Sequence, residues 1–475
     1  YYANSQNGNV GEPMPKFWEV INEPDMLMKT GQFMVTNQED IWRYHSLVAQ
    51  EIRQALGDEA PMIGGMTWGQ HDFYRRDGIS RHQDDYLCAW VDEEACAMFT
   101  EAMQTTVDDT RESDWYQWDV MWRGFMEEAG ADMDFYAVHI YDWPSKDLNG
   151  QAGTVRRGGH VQAMLDMMEW SDVNLGGLEN RKPIVMSEYG AVQGAWDELP
   201  HEERYDIENL KAFNGMLMQF LQRPDYVIKS MPFTPAKPLW GYKPAGCGYD
   251  ATVNCTAPYH YSMIMESELN NGDWQWSSYI KFFELWADVD GTRVDAHSSD
   301  PDVQVNAYVD GKELFVIINN LEDYDTTVNL NVAGLTGLNV SNVELRQMYF
   351  DGVEHTKLER RHKKQLPSSL TLAADGTAVL RYTLSNNVAV NQKVTEHKYF
   401  GESVSGGSVP HRISVNGGAK TVKVNNLVVP NGAAEAMLRL TVALFPDQDD
   451  KEGGLLTINS LTVNGNDVTT PIDWR

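Results

Sequence analysis

Apolar and polar positions follow two rhythms along this chain, and the change from one to the other divides it. In the first part, short apolar runs alternate with longer segments of helical period. Phe17–Asp25 (FWEVINEPD) opens the series: Phe17, Trp18, Val20 and Ile21 form a strand-like run that stops at Asn22, Glu23 and Pro24. Proline has no N–H for a central ladder, so the strand ends just past the carboxylate. Glu39–Leu56 carries Ile41, Tyr44, Leu47, Val48, Ile52 and Leu56 at the spacing of an amphipathic helix. Pro61–Gly69 predicts the next strand, where Gly64 and Gly65 mark a kink or a close backbone approach. The alternation continues with helix Trp115–Ala129, strand Asp134–Trp143, helix Val161–Trp170, strand Lys182–Gly190, helix Glu202–Leu221, strand Tyr226–Pro235 and helix Trp276–Trp286. Two long loop-like stretches, Gln70–Asp114 and Ala236–Tyr261, interrupt it.

From about residue 300 the period becomes that of strands. Val303–Ala307, Glu313–Asn319, Thr326–Val332, Val343–Tyr349, Leu370–Leu372 and Ala378–Thr383 are short runs rich in β-branched residues, and Asp310 with Gly311 is a hairpin signal. Further on, in Met437–Leu444, Leu438, Leu440, Val442 and Leu444 alternate with the other face, and Asn464 with Gly465 marks another turn. The expected organisation is an α/β part over 1–299, a β-sandwich over 300–385 and a second sandwich, carbohydrate-binding or buttressing, over 386–475. Strand–helix alternation predicts a (β/α)8 TIM barrel. Phe17–Trp286 supplies five strand–helix units where the barrel needs eight, so the barrel is expected to be N-terminally incomplete, its first units missing or supplied elsewhere.

Charge narrows the function classes. The 475 residues include 69 acidic and 38 basic side chains, a formal charge of −31. Such an acid surplus speaks against nucleic acids and anionic membranes as partners, and it suits a protein working in salt, where screening weakens self-repulsion. No apolar run approaches the length needed to span a bilayer. The first residue is Tyr and no leader-like segment precedes the first strand, so a processed or truncated product is expected. The four cysteines fall in two local pairs, Cys88 with Cys96 and Cys247 with Cys255; neither has metal-ligand spacing, and local disulfides in an exported protein are expected.

The candidate chemistry lies at two strand ends. Lys182–Gly190 (KPIVMSEYG) repeats the plan of the first stretch: Ile184, Val185 and Met186, then Glu188, then the turn residue Gly190. Two strands that each end in a glutamate can point two carboxyl groups into one cleft. Glycosidic hydrolysis needs that pair, one to protonate the leaving oxygen and one to attack the sugar carbon.

Asn22-Glu23-Pro24 on one strand, His139-x-Tyr141 on a later one and Ser187-Glu188-Tyr189-Gly190 on a third occur in the order that resembles the retaining clan A glycoside hydrolases. Within that clan, WEVINEPD and the long Trp-rich loops most resemble glycoside hydrolase family 86, the β-agarases and β-porphyranases. The resemblance implies Glu23 as general acid/base and Glu188 as nucleophile, in an endo-acting, exported bacterial enzyme (secreted or cell-surface) that cleaves a red-algal galactan, agarose or porphyran. It also implies Asn22 on the sugar 2-hydroxyl, Tyr141 on Glu188 with His139 lining the same floor, and no metal or cofactor. Trp240, Trp68 and Trp143 follow strands and are candidate sugar platforms, because aromatic rings pack on the C–H faces of sugars. His71, Arg75 and Arg76, with Arg156 and Arg157, lie on mouth-side loops where guanidinium groups could hold a sulfated substrate, or could simply be solvated charge. A clan A endoglycanase for mannan, xylan or glucan, and a non-catalytic carbohydrate-binding protein, are the alternatives these residues leave open.

Overall fold

The first strand is shorter than its apolar run. In the computed structural model, which describes residues 13–25, 38–69, 93–94, 96–97, 116–142, 157–191, 203–237, 261–266, 272–334, 339–353, 355–363, 367–391, 393–403, 420–433, 435–441 and 460–469, β1 is Phe17–Glu19 and pairs in parallel with β2, Met62–Trp68. Beyond β1 the backbone keeps alongside β2 through Val20 N–H on Gly64 O (3.2 Å) and Glu23 N–H on Thr67 O (3.1 Å). Positive φ at Glu23 (42°) and Thr67 (60°) breaks the regular ladder there.

Two units make up the chain: residues 1–136, 171–179 and 402–475 form one, and 137–170 and 180–401 the other. In the first, α1 (Gln38–Leu56) buries Ile41, Trp42, His45 and Ala49. The predicted extent holds but the inner face is rotated, leaving Tyr44 and Leu47 exposed. His45 takes an inner place because β2 offers it Gly65, where a Cβ would lie 2.4 Å from its ring, and Trp42 lies over Gly124, where a Cβ would lie 2.2 Å from the indole; a Cβ on Gly64 would lie 2.4 Å from Phe135. The close approach expected at Gly64 and Gly65 is therefore present. Tyr116–Trp122 winds as a π-helix and passes into α2 (Arg123–Glu128), where a continuous α-helix is expected from the sequence. Trp118 and Trp122 are buried in this layer. Strand β3 (Phe135–Asp142) starts beside β2, with Asp134 N–H on Ile63 O at 2.7 Å and Ile63 N–H on Asp134 Oδ2 at 2.8 Å.

The second unit takes β3 from Ala137 onward, α3 (Gly159–Gly176) up to Trp170, β4 (Ile184–Ala191), α4 (Glu203–Phe220), β5 (Val227–Pro232) and α5 (Ile280–Trp286). β4 pairs in parallel with β5. The N-terminal ends of these two strands are closed by charge. Glu169 of α3, nearly buried, is met by Arg181 before β4, by Arg223 before β5 at 3.3 Å and by Lys398 at 3.1 Å. The last predicted helix starts late. Trp274–Trp276 is instead strand β7, paired with β6 (Ile264–Glu266), and buried Asp206 accepts Ser278 N–H at 2.9 Å just ahead of α5.

The sandwich of the second unit is built from β8 (Thr292–Val294), β9 (Val303–Asp310), β10 (Glu313–Asn320), β11 (Thr326–Asn329), β12 (Val340–Phe350), β13 (Thr356–Lys363), β14 (Ser369–Leu372) and β15 (Thr377–Leu384). Six strands run in the order β13-β12-β15-β10-β9-β8, and β11 pairs with β14. Gly311 (φ 56°) turns the β9–β10 hairpin at the expected place. β8 lies ahead of residue 300, so the sheet begins earlier than the change of period. One sheet face buries Val309, Leu314, Ile318, Leu345 and Leu380 against Leu370 and Leu372. The other carries buried Gln304 and Asn306, which donate to Gly215 O (3.0 Å) and Met218 O (3.1 Å) of α4. Those backbone acceptors are why two strand positions facing a helix are amides.

Of the second sandwich expected over 386–475, the described residues show short strand pairs. They contain β16 (Gly401–Ser403) with β17 (Val422–Val424), and β18 (Thr462–Val463) with β19 (Asn466–Asp467). Leu438 and Leu440 are 62% and 51% exposed, so among the described residues their alternation meets no facing sheet. Among the described residues no helix is long and apolar enough to cross a membrane.

Candidate active site

Strand alternation decides which side chains meet at the C-terminal ends of β3 and β4. His139 and Tyr141 share one face of β3, and Ile140 and Asp142 the other. On β4, Tyr189 turns to α4 and packs edge-on against Phe213 and Phe220, at 5.6 and 5.1 Å between centroids. Its neighbour Glu188 turns the opposite way, to β3. The Tyr141 hydroxyl donates to Glu188 Oε2 at 2.6 Å, and His139 Nδ1 lies 3.3 Å from the same oxygen. The Glu188 side chain is 25% exposed and that of His139 1%. One carboxylate oxygen is thus held from two sides while part of the side chain stays open to solvent. A hydroxyl donated to a carboxylate favours its ionised form and fixes its orientation, as a nucleophile requires.

The end of β4 has a second support that the sequence pattern does not single out. Ala191 N–H donates to Asn209 Oδ1 at 2.6 Å, and Asn209 Nδ2 donates to Tyr279 Oη at 3.3 Å. The approach needs Gly190, where a Cβ would lie 2.4 Å from Asn209 Oδ1. Gly190 was the available signal, read in the sequence only as a turn. Tyr141 is braced from the β5 side by Phe233, edge-on at 6.1 Å.

In the first unit, Glu23 sits on a turn stabilised by its neighbours. Pro24 and Asp25 are buried, and Asp25 Oδ1 accepts Gly69 N–H at 2.9 Å, tying the end of the Glu23 segment to the end of β2. Gln117 Nε2 donates to Asp25 O at 3.2 Å, and Gln117 Oε1 accepts Trp68 Nε1–H at 3.1 Å. Asp25 and Gln117 therefore position the Glu23 turn. Asp25 stands in the quoted motif, but its role needs Gly69 and Gln117, which are distant in sequence. Asn22 is exposed. Trp68 is not a sugar platform: it is fully buried, stacked on Trp122 at 4.6 Å, with its indole N–H satisfied inside.

Arg157 is not free to meet sulfate. Its guanidinium donates to buried Asp142 (2.9 Å) and to Asp375 (2.8 Å). Burial opposes its charge, but the fields of Asp142 and Asp375 outweigh burial and raise its pKa above the usual guanidinium value. His71, Arg75, Arg76, Arg156, Trp143, Trp240, Cys88, Cys247 and Cys255 lie outside the described residues. Cys96 is disulfide-bonded.

The family profile described as "Porphyranase beta-sandwich domain 1" matches residues 302–405. A beta-agarase (AgaO) of Microbulbifer thermotolerans is 66% identical over 482 residues, covering 100% of this chain and 41% of that protein. The crystal structure of BuGH86 in complex with neoagarooctaose matches with a TM-score of 0.61 at 28% identity, covering 84% of this chain and 55% of that one. A structure described as a beta-porphyranase of glycoside hydrolase family 86, from the human gut bacterium Bacteroides plebeius, shares the fold with a TM-score of 0.58 at 23% identity, covering 82% of this chain and 59% of that one. The chain spans 41% to 59% of the length of these relatives.

Proposed function

We propose that this chain, a relative of the family 86 glycoside hydrolases along its whole length, carries the two carboxyl groups of an endo-acting retaining hydrolase of red-algal galactan, with agarose as its substrate. The observation that carries the reading is the 2.6 Å hydrogen bond from Tyr141 to Glu188 at the C-terminal ends of two neighbouring strands, where β/α folds place their chemistry. The choice of agarose rests on the beta-agarase at 66% identity.

In this reading Glu188 attacks the anomeric carbon and forms a glycosyl-enzyme, while Glu23 gives its proton to the departing glycosidic oxygen. Glu23 then takes a proton from the water that releases the sugar. Two inversions at one carbon return the starting configuration, which requires the carboxyl groups about 5 Å apart. Asn22 would bond the 2-hydroxyl of the sugar being cleaved.

The strand–helix part is read as a portion of a larger (β/α)8 barrel, with further β/α units in the longer protein as its partner. The edge strand β5 supports this, since Ile228 and Met231 are 40% and 39% exposed on it; an apolar edge calls for a neighbouring strand. Export to the cell exterior fits the disulfide at Cys96 and the charge of −31.

Glu188→Gln tests the reading. It keeps the shape of the side chain and removes the nucleophile, so agarose cleavage is expected to fall by at least about a thousandfold while neoagaro-oligosaccharide binding persists. A variant that cleaves as fast as the parent would defeat the proposal.

A further inference from the structure

Two turns of the sandwich reach the α/β elements of the same unit beside the strand that carries Tyr141. Asp375 is the left-handed residue (φ 50°) of the turn between β14 and β15. That turn is held from several sides. Asp375 N–H donates to Glu322 O (2.8 Å), Gly376 N–H to Ala373 O (3.0 Å), Asn320 N–H to Gly376 O (2.9 Å) and Ala374 N–H to Asp325 Oδ1 (3.2 Å). The carboxylate it presents is 20% exposed and takes two cations, Arg157 Nη1 at 2.8 Å and Lys211 Nζ of α4 at 3.2 Å. Arg157 passes the link on to Asp142 Oδ2 at 2.9 Å. Asp142 is fully buried and is the residue next to Tyr141 at the end of β3. Leu321 of the neighbouring sandwich loop presses on the residue after Arg157: a Cβ on Gly158 (φ 49°) would lie 2.7 Å from Leu321 Cδ1.

We propose that Asp375 is a positioning residue for the hydrolytic site, holding the end of β3 through Arg157 and Asp142 so that the Tyr141 hydroxyl stays on Glu188. The sandwich then does more than cover α4 and α5. It supplies the outer charge of a chain Asp142–Arg157–Asp375–Lys211, and that chain holds the end of β3 and the start of α3 together with α4, the helix that follows the Glu188 strand. A rigid turn is the suitable donor of that charge, because an ordered partner loses less entropy when it fixes a guanidinium. The proposal deepens the hydrolase reading above and rests on it.

Asp375→Asn is the test variant, since asparagine tolerates the left-handed backbone and only the charge is removed. It is made in the parent and in a Tyr141→Phe background, and agarose hydrolysis is followed against pH. In the parent background, kcat is expected to fall by about threefold to tenfold, the size of coupling within one network, with KM unchanged, and the acid limb of the profile to move to higher pH. In the Tyr141→Phe background the same substitution is expected to leave the limb in place. An unmoved limb in the parent, or equal movement in both backgrounds, overturns the proposal; a limb that keeps the parent position in Asp375→Glu while Asp375→Asn moves it supports it. If the parent fails to hydrolyse agarose, the hydrolase reading is what has failed. The positioning claim is then decided by carbon-13 titration of the Glu188 carboxyl in the same four proteins, where a shift in the parent background alone supports it and its absence overturns it.

Discussion

Removing one hydroxyl, in Tyr141→Phe, is the most direct probe of how the proposed nucleophile is held. The Tyr141 hydroxyl donates to Glu188 Oε2 at 2.6 Å, so the bond is short and its acceptor is a carboxylate. Hydrogen bonds to charged groups contribute about 1.5–3 kcal/mol, and a unit of pKa corresponds to about 1.4 kcal/mol. Losing the donor should therefore raise the Glu188 titration. His139 Nδ1, 3.3 Å away, remains on the same oxygen and limits the loss. The ring itself stays packed against Phe233, so little cavity is created. The sign is fixed by the role: a raised Glu188 is protonated at higher pH, and the acid limb of kcat/KM moves toward neutrality. On the plateau only the orientational loss remains, about tenfold. Rates on neoagaro-oligosaccharides across the pH range, read as reducing ends released, give both quantities. An acid limb that stays where it is in the parent would refute the role assigned to Tyr141, whatever happens to the plateau.

Two further predictions concern stability. His45 is buried with Nδ1 2.7 Å from Ile41 O, and burial lowers its pKa from 6.5 to about 4 although that backbone contact opposes the shift. The unfolded chain therefore binds a proton that the folded chain refuses. Its contribution is complete above pH 6.5 and is lost as pH falls from there to about 4, about 3 kcal/mol in all. Urea unfolding of His45→Phe at a series of pH values should show a flatter slope in that window, and an unchanged slope would count against the assignment. Glu169→Gln should cost about 3 kcal/mol, because it leaves buried Arg223, with partly buried Arg181 and Lys398, around a neutral side chain. A loss below about 1 kcal/mol in urea unfolding would mean that Asp166 and Asp225 suffice as partners.

Much of the candidate site was legible because its signals are local. The apolar runs before Glu23 and Glu188 write the two strands into a few consecutive residues, although β1 ends at Glu19, ahead of the proline, and β4 runs through Gly190 to Ala191. Alternation by two then places His139 and Tyr141 on one face of β3, and the Asp310 and Gly311 pair states its own turn. Helix α1 shows the limit of such patterns: its length was readable, but its inner face was decided by the room Gly65 leaves for His45, a residue of a different element. β13 (TKLERRHK) carries almost no apolar signal, because an edge strand keeps charges to avoid further pairing, and only its register on β12 makes it a strand.

The amino-acid sequence by itself thus determined most of the alternation of strands and helices, the apolar runs that precede Glu23 and Glu188 and the change to a β-rich second part, since each depends on neighbours a few residues apart. Only the tertiary structure decided which polar groups hold those glutamates in place. Asp25 reaches Gly69 and Gln117, Asn209 reaches the end of β4, and Asp375 reaches Arg157 from 218 residues away. These are pairings of charges and amides brought together by the packing of separate elements. No periodicity along the chain records them, because a hydrogen bond depends on distance in space and orientation, and sequence separation enters neither.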